Sequence, residues 1–527
     1  MGERRQSTCD LVAYAPEGGK PYSPSIKITT FWRTGGDLEA QNFLRDVKDH
    51  ELAPVTAEDR NALLEGLEDQ WATTDIVPPN AFQVNGGSDV LRWTYDVKKD
   101  QVRPPEEAQL CSLNRLDDLY HWTRDFFPAA VDPVTCQGHL FALPIGIHRV
   151  NLLYYNQALI NEFVAWGGKA HLGKGESLEL SSSEEFAQLL EDISAYLAQN
   201  KPTESITPLS ISGESSWPFG LLALDHLMPT IENVYESVWL GQAKGYSSKE
   251  QDALRSTLSE TWLPLLTRMS ASSSLSENLS ENTRRAEQAR RDGSKYTPLN
   301  WRDSLRQVIE GKAFFTAMGD WAWADAELIQ SQSTHNKPSP LRAIPFPSET
   351  PAFVYTPDTF AIPRNTHDAG MPAHYWLKEV VGDKETQIAF SRVKHSIPPR
   401  KDLDESDLVE LHNPRVVDTY RYFRRCQADH SNCRLRLAVS GLGWSPGTDA
   451  CHNQIPSLIL LATGHQLPPT HPADAVPPQG GAGGETGDVD EERACPTPLP
   501  TSQDGAKRLL MDRLLETATH PFADKCR

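Results

Sequence analysis

The chain has 527 residues, a formal net charge of −20 and 23% charged residues, so its composition is globular and acidic. An excess of acid excludes nucleic acid and anionic membrane surfaces as partners, because phosphate binding needs clustered Lys and Arg. The length exceeds that of one ordinary core and predicts two compact lobes with accessory segments.

No apolar run approaches the roughly 18 residues that a membrane span requires, and the longest candidate, at 455–463, is about half that length. The opening residues, MGERRQSTCD, are polar and lack the apolar segment of a secretory signal. We therefore expect no membrane span, and these opening residues do not encode export.

Eight cysteines in so long a chain do not indicate a scaffold built on disulfides. Cys426, His430 and Cys433 form a C-x3-H-x2-C pattern, which is typical of half a zinc site but lacks a fourth ligand. A local disulfide and free thiols are the other two interpretations of this segment.

In chain order, short apolar runs alternate with amphipathic stretches between residues 26 and 433, which predicts an α/β fold. Strands are predicted at 26–32, 139–147 and 313–318, and a tight turn at Gly35 and Gly36. Helices are predicted on the apolar faces Ala40, Phe43, Leu44 and Val47; Phe186, Leu189, Leu190, Ile193 and Leu197; and Leu305, Val308 and Ile309.

Ser182 followed by Glu185 predicts a capping box at the start of the second of these helices. Residues 272–294 are polar and predict a solvated helix or a mobile loop. Residues 467–504 are rich in Pro, Gly, Thr and acid, which predicts a disordered linker, and residues 507–515 predict a short amphipathic helix.

The signatures of phosphate-binding loops, zinc proteases, serine hydrolases and dinucleotide-binding folds are absent from the sequence. Instead, aromatic residues stand beside hydrogen-bonding residues at predicted strand ends, a combination that suits sugars, whose CH faces stack on rings. The four such places are Phe31-Trp32 with Asp37, Gln83 and Asn85 before Gly86-Gly87, Trp217 after Gly213, and Asp320-Trp321.

Each of these places also has a structural interpretation. Any one of the Trp residues can belong to a core. Asp320 can be a helix N-cap, and Gly86-Gly87 can be a simple turn. His148 and Arg149 can be buried, hydrogen-bonded hinge residues instead of ligand contacts.

Six segments in order resemble the family 1 extracellular solute-binding proteins, and within them the glucose/mannose-binding members. The segments are FWRTGGDLEAQNFL (31–44), PPNAFQVNGG (78–87), GHLFALPIGIHRVNLLYYN (138–156), GKAFFTAMGDWAWAD (311–325), PFPSETPAFVYTPDTFAIPR (345–364) and VKHSIPPRKD (393–402). The resemblance covers residues 26–402.

The resemblance implies a type II periplasmic-binding-protein fold, in which two α/β lobes joined by a hinge close on a ligand in the cleft between them. It implies an N-terminal lobe of residues 24–143 and 300–356 and a C-terminal lobe of residues 144–299 and 357–440. A C-terminal extension follows over residues 441–527.

The resemblance also implies the ligand-binding residues. They are Phe31, Trp32, Asp37, Gln83, Asn85, His148, Trp217, Trp239, Asp320, Trp321, Asp358, Lys394 and His395. Asp37 stands where relatives usually have Glu, and Asn85 where they have His or Lys. Trp217 and Trp239 compete for the role of the second aromatic wall, and residues 46–76 lack the strand and glycine-rich turn that usually supply a hydroxyl contact.

The function implied is that of the substrate-binding component of an ABC importer. Such a protein binds a monosaccharide, delivers it to a membrane permease, and uses no cofactor and no metal. We expect a periplasmic or extracellular monomer, with membrane anchoring as an option. The alternatives are a sugar sensor for a signalling receptor and a glycoside hydrolase, which would need two suitably spaced carboxylates, for example Asp37 and Asp320.

Overall fold

The computed structural model describes residues 101–438 apart from 106–107, 109, 171, 174–176, 214–216, 232–233, 240–245, 295, 333–340, 350, 365–369 and 430–432. It also describes residues 28–29, 39–40, 42–44, 81–85 and 94–96 near the N-terminus, and 454–467 and 499–519 near the C-terminus. Elements are numbered over these residues.

The strands are β1 (Ile28–Thr29), β2 (Ala81–Asn85), β3 (Tyr95–Asp96), β4 (Gln101–Val102), β5 (Thr135–Cys136), β6 (His139–Leu140), β7 (Ala142–Arg149), β8 (Leu152–Asn156), β9 (Thr207–Leu209), β10 (Ala313–Met318), β11 (Leu341–Pro345), β12 (Ala352–Ala361) and β13 (Arg434–Leu437). Two larger sheets contain most of them. The first sheet has the order β1-β2-β12-β13, with β7 also paired to β12, and the second has the order β11-β8-β10-β9.

The helices are α1 (Asn114–Tyr120), α2 (Trp122–Asp125), α3 (Pro128–Val131), α4 (Gln157–Ala165), α5 (Ser183–Asn200), α6 (Trp217–Gly220), α7 (Val234–Trp239), α8 (Ser248–Thr257), α9 (Leu263–Ala271), α10 (Leu275–Asp292), α11 (Trp301–Ile309), α12 (Ala322–Gln332), α13 (Gly370–Tyr375), α14 (Lys384–Lys394), α15 (Glu405–Glu410), α16 (Pro414–Ala428), α17 (Ile455–Ala462) and α18 (Gln503–Thr519). Wider helical turns continue α6 over Leu221–Leu227, α8 over Leu258–Trp262 and α13 over Trp376–Val381. No described helix is both long enough and apolar enough to cross a lipid bilayer.

Helices cover both sheets and divide the molecule into two lobes. We call the first sheet with α1–α3 and α13–α16 the first lobe, and the second sheet with α4–α11, α17 and α18 the second lobe; separate hydrophobic cores support each. Helix α12 leaves the end of β10 and packs in a further apolar cluster that contains residues of both sheets, such as Val354 and Met318. The lobes therefore meet through a continuous apolar junction.

The chain crosses between the lobes after β7 and returns before β12. The first crossing occupies residues 149–152, where the Val150 amide donates to the Val354 carbonyl at 2.8 Å. The second follows β11, where the Phe346 amide donates to the Asn151 carbonyl at 3.0 Å. These two crossings lie side by side, as hinge segments do. A further connection leads from β13 in the first lobe to α17 in the second, through residues outside the described part of the chain.

The predicted α/β fold is confirmed, and several predicted elements coincide with observed ones. Strand β10 has the predicted bounds, and the predicted helix at 507–515 lies within α18. Residues 272–294 form helix α10 over most of their length. The predicted linker at 467–504 lies outside the described residues, apart from its ends.

The capping box before α5 forms only in half. The Ser182 side chain accepts from the Glu185 amide at 3.1 Å, as predicted. The Glu185 carboxylate accepts from the backbone and hydroxyl of Ser181 instead of from the Ser182 amide. The predicted stripe of this helix, from Phe186 to Leu197, is buried.

Strand pairing differs from the predicted division into lobes. The prediction groups 300–356 with 24–143, but β10 and β11 pair with β8 in the second sheet. It also groups 357–440 with 144–299, but β12 and β13 lie in the first sheet. Pairing between distant strands depends on tertiary packing, which local sequence patterns do not encode.

Of the three interpretations of the Cys426 segment, the disulfide is the one observed, because Cys426 and Cys433 are bonded across a separation of seven residues. The bond joins the end of α16 to the start of β13. Cys111 and Cys136 each take part in a disulfide as well.

Candidate functional site

A buried histidine occupies the end of β7, next to the first crossing. His148 is 2% exposed and pairs directly with Thr356 on β12. Side chains two residues apart lie on the same face of a strand, so Asp358 shares the face of His148. A register shift in the pairing of β7 with β12 follows Asp358. The sheet thereby places Asp358 Oδ2 3.1 Å from His148 Nε2.

The second carboxylate comes from the second lobe. Asp320 follows β10 and is 4% exposed; its Oδ1 lies 2.5 Å from His148 Nδ1 and its Oδ2 accepts from the Arg149 amide at 2.8 Å. Both oxygens are therefore used across the lobe junction, not by the amides at the start of α12. The N-cap interpretation of Asp320 does not describe this contact.

Gly319 and Trp321 complete this turn. A Cβ on Gly319 would lie 2.1 Å from the Trp321 ring, so only glycine allows the ring to pack there. The ring meets His148 edge-on with centroids 5.5 Å apart, and Tyr154 Oη donates to the Gly319 carbonyl at 2.9 Å. Each residue of the M-G-D-W segment after Met318 thus has a defined role in packing against His148.

The geometry requires His148 to be charged. Both ring nitrogens face carboxylate oxygens, which accept hydrogen bonds, so both nitrogens must carry protons. Burial opposes the charged ring, but the carboxylates of Asp320 and Asp358 outweigh it and raise the pKa of His148 to about 10. The cluster is an imidazolium held between two carboxylates, one from each lobe.

Arg149 is a second buried cation at the crossing. Its guanidinium donates to Asn151 Oδ1 at 3.3 Å and lies 4.7 Å from the centroid of Phe353 and 5.2 Å from that of Tyr422. Burial lowers its pKa to about 10. These neutral partners fix Arg149 in the hinge, which agrees with the structural interpretation of this residue.

Lys394 and His395 lie beside the same end of β7. The backbones of Ile147 and Ile397 exchange two hydrogen bonds of 2.8 Å, which places His395 near the crossing. Lys394 is 4% exposed, and burial lowers its pKa to about 7. A lysine with this pKa changes charge near neutral pH.

His395 contacts helix α12 at the junction of the lobes. The side-chain oxygen of Asn413, Oδ1, caps α16, which leaves its amide nitrogen Nδ2 to donate to His395 Nδ1 at 3.0 Å. Because Nδ1 accepts this hydrogen bond, the ring proton of His395 is on Nε2. Nε2 lies 3.3 Å from Glu327 on α12, which also accepts from Arg415 at 3.3 Å. These contacts lower the pKa of Glu327, the hydrogen bond from His395 contributing most. Arg415 also stacks on Trp323, 3.9 Å from its centroid.

Two buried hydroxyls near this junction were not singled out from the sequence. Ser212 Oγ and Thr356 Oγ1 make no hydrogen bond among the described residues. Leu209 pairs with Phe315 between β9 and β10, and the Ser210 amide donates to the Phe315 carbonyl at 2.8 Å. Ser212 therefore follows β9 at the edge where Gly319 follows β10. A hydroxyl that follows a parallel strand, such as that of Ser212, suits ligand binding. The only sequence signal for Ser212 is its place just before Gly213 and Trp217.

The remaining predicted site residues are placed less completely. Phe31, Trp32 and Asp37 lie outside the described residues. In the first sheet, Gln83 and Asn85 on β2 pair with Phe360 and Asp358 on β12. Trp217 begins α6 and Trp239 ends α7 in the second lobe. The structure brings His148, Asp320, Trp321 and Asp358 into one cluster, with the backbone of Asn85 beside Asp358.

The cluster provides hydrogen-bond acceptors and an aromatic edge. Each carboxylate oxygen can accept more than one hydrogen bond, so binding to His148 leaves acceptor capacity for hydroxyl donors. Among the described residues, no group of three His, Cys, Asp or Glu side chains could hold a metal ion. This arrangement can bind and orient a polyhydroxylated ligand.

Residues 96–412 match the family model of bacterial extracellular solute-binding proteins. An ABC transporter extracellular-binding protein of Pyrococcus horikoshii is 24% identical over 332 residues, 62% of this chain and 59% of that protein. A probable sugar-binding periplasmic protein of Brucella melitensis is 22% identical over 418 residues, 78% of this chain and 84% of that protein.

Among solved structures, the bacterial solute receptor AcbH, which has an exclusive preference for β-D-galactopyranose, superimposes with a TM-score of 0.53. The identity is 13%, and the match covers 83% of this chain and 93% of that receptor. This likeness confirms the predicted periplasmic-binding-protein fold. Because the family model covers more than half of the chain, the chain belongs to the family of bacterial extracellular solute-binding proteins.

Proposed function

We propose that this protein is the sugar-binding component of an ABC importer and binds a monosaccharide of the glucose or mannose type in the cleft between its lobes. The observation that supports the site most directly is the buried cluster of Asp320, His148 and Asp358. It joins a carboxylate of each lobe through one charged ring, beside Trp321 and at the hinge. A ligand closes two-lobed proteins about their hinge, and the residues of this cluster contact both lobes at that hinge.

The chemistry of the cluster favours a neutral ligand rich in hydroxyls. Two carboxylates around one imidazolium carry a net negative charge, which repels anionic ligands. Hydroxyls donate to carboxylates in charge-assisted hydrogen bonds, and the CH face of a pyranose stacks on an aromatic ring. Among the proteins similar to this chain, one is named as sugar-binding and another prefers β-D-galactopyranose, which supports a pyranose ligand.

The partner and compartment follow from the family. A periplasmic or extracellular monomer that closes on its sugar presents a changed surface to a membrane permease. The Cys426–Cys433 disulfide supports an oxidising compartment. The family consists of binding proteins, so the glycoside hydrolase alternative is set aside.

The test is a thermal-shift screen of the purified chain with D-glucose, D-mannose, D-galactose, D-xylose and maltose, followed by calorimetry. A ligand at 1,000 times its Kd stabilises the folded state by about 4 kcal/mol, which raises the Tm by several degrees. We expect at least one monosaccharide to raise the Tm. We do not expect maltose to be the only sugar that raises it. A shift with maltose only would contradict the monosaccharide assignment.

Two tryptophan variants locate the site. Trp321→Ala removes the ring beside His148 and should abolish the shift. Trp166→Ala removes a tryptophan that is 47% exposed and directly follows α4, and it should leave the shift unchanged. Equal sugar responses in both variants would place the ligand elsewhere.

A further inference from the structure

The two helices at the C-terminal end pack together and enter the core of the second lobe. Gln503 Nε2 donates to the Ala462 carbonyl at 3.1 Å and joins α18 to the end of α17. The buried residues that these helices add to the second-lobe core are Ile455, Leu458, Ile459, Leu460, Ala462, Ala506, Leu510, Met511 and Leu514. The predicted C-terminal extension is therefore partly an integral piece of this lobe.

Helix α17 lies directly against α6. A Cβ on Gly220 would meet Pro456 Cβ at 3.4 Å, so the two helices approach within ordinary contact at the last residue of α6. The next turn of chain after α17 continues the contact, because the His465 ring meets Phe219 edge-on at 5.9 Å. His465 Nδ1 in turn lies 3.0 Å from Ser276 Oγ on α10.

Helix α18 lies against α7 and α8. Arg255 on α8 donates to Asp512 on α18 at 2.8 Å, an exposed ion pair that marks the alignment of these two helices. Helix α7 has six residues, about half the length at which an isolated helix becomes stable in water. Its helical form therefore depends on packing against neighbours, and α18 is one of them.

Trp217 begins α6 and Trp239 ends α7, the two helices that α17 and α18 contact. These are the two tryptophans that the resemblance offers as the second aromatic residue against the ligand. We propose that the C-terminal helix pair is a positioning element of the ligand site, which holds α6 and α7 in the binding geometry. This inference rests on the proposed function for the identity of the ligand, but its structural part can be tested without any ligand.

The test measures hydrogen exchange by mass spectrometry in the full chain, over peptides covering residues 217–230 and 234–239. Leu510→Ala loosens α18, and Leu190→Ala on α5 is the matched control, because both leucines are fully buried in the same core. We expect exchange of the α6 and α7 amides to rise at least about tenfold in Leu510→Ala and much less in Leu190→Ala. Equal increases in the two variants would overturn the proposal.

A milder variant covers the case in which Leu510→Ala does not fold. His465→Ala removes the edge-on contact with Phe219 and the hydrogen bond with Ser276 Oγ, and it should raise exchange in α6 but not in α7. No change in either peptide would count against a positioning role.

Calorimetry with D-glucose, D-mannose and D-galactose then separates the two proposals. Raised exchange in Leu510→Ala together with a wild-type chain that binds no sugar would retain the positioning role and refute the sugar assignment. A wild-type chain that binds sugar, with unchanged Kd in Leu510→Ala, would refute the positioning role alone. We expect the Kd of Leu510→Ala for the bound sugar to be at least about tenfold higher than that of Leu190→Ala.

Discussion

Replacing His148 with Gln should move the pH range over which stability changes from above pH 6.5 to below neutral pH. In the wild-type chain the folded-state pKa of about 10 exceeds the 6.5 of an ordinary imidazole. A raised pKa gives stability that is complete below pH 6.5 and is lost as the pH rises toward 10. The difference corresponds to about 5 kcal/mol as an upper bound, since each pKa unit is worth about 1.4 kcal/mol.

In His148→Gln the carboxylates of Asp320 and Asp358 remain buried without the cation between them. Removing one partner of a buried ion pair costs about 3 to 5 kcal/mol, because the remaining charge is uncompensated. The variant can recover part of this by taking up a proton on one carboxylate, which removes one of the two buried charges. Its stability should therefore increase as the pH falls below neutral.

The assay is urea unfolding at pH 5.5, 7.0 and 8.5, with His412→Gln as the matched control. His412 is an exposed histidine, and its replacement should change the free energy of unfolding by no more than about 0.5 kcal/mol. Asp358→Asn added to His148→Gln should restore part of the loss. Parallel pH profiles for wild type and His148→Gln would refute a charged His148.

Three further outcomes are expected. Gly319→Ala should destabilise the fold by about 1 to 3 kcal/mol in urea unfolding, because its Cβ would displace the Trp321 ring, and calorimetry should show weaker sugar binding. Burial lowers the pKa of His226 to about 4, so the wild-type chain should lose stability as the pH falls from 6.5 toward 4. His226→Gln should reduce this loss, as measured by acid titration followed by circular dichroism. Replacing Cys426 and Cys433 with Ser should lower the free energy of unfolding by about 2.5 kcal/mol, measured by urea unfolding, since the bond closes a short loop.

The elements that sequence patterns predict well are those defined by neighbouring residues. Strand β10 and the Ser182 cap depend on spacing within a few positions, and both are observed. The division into lobes was predicted less well, because β12 pairs with strands far away in sequence. No local pattern indicates which distant strand a segment will join.

The candidate site follows the same rule. The M-G-D-W segment is conspicuous, but its main contact is with His148, 172 residues away. From the sequence alone His148 can be a ligand contact or a hinge residue, and only the fold reveals carboxylates on both sides of its ring. Ser212 shows the opposite limit, because a buried serine at a strand end has no distinctive sequence signal.

The order of the strands along the chain affects how the protein is made. The first sheet is completed only when β12 and β13 exist, and the core of the second lobe waits for Leu510 and Leu514 near the end of the chain. The second lobe cannot finish folding while the ribosome is still producing the C-terminal helices, whereas the described elements of the first lobe all precede those helices in the chain. The core of the second lobe is therefore complete only when nearly the whole chain has been synthesised.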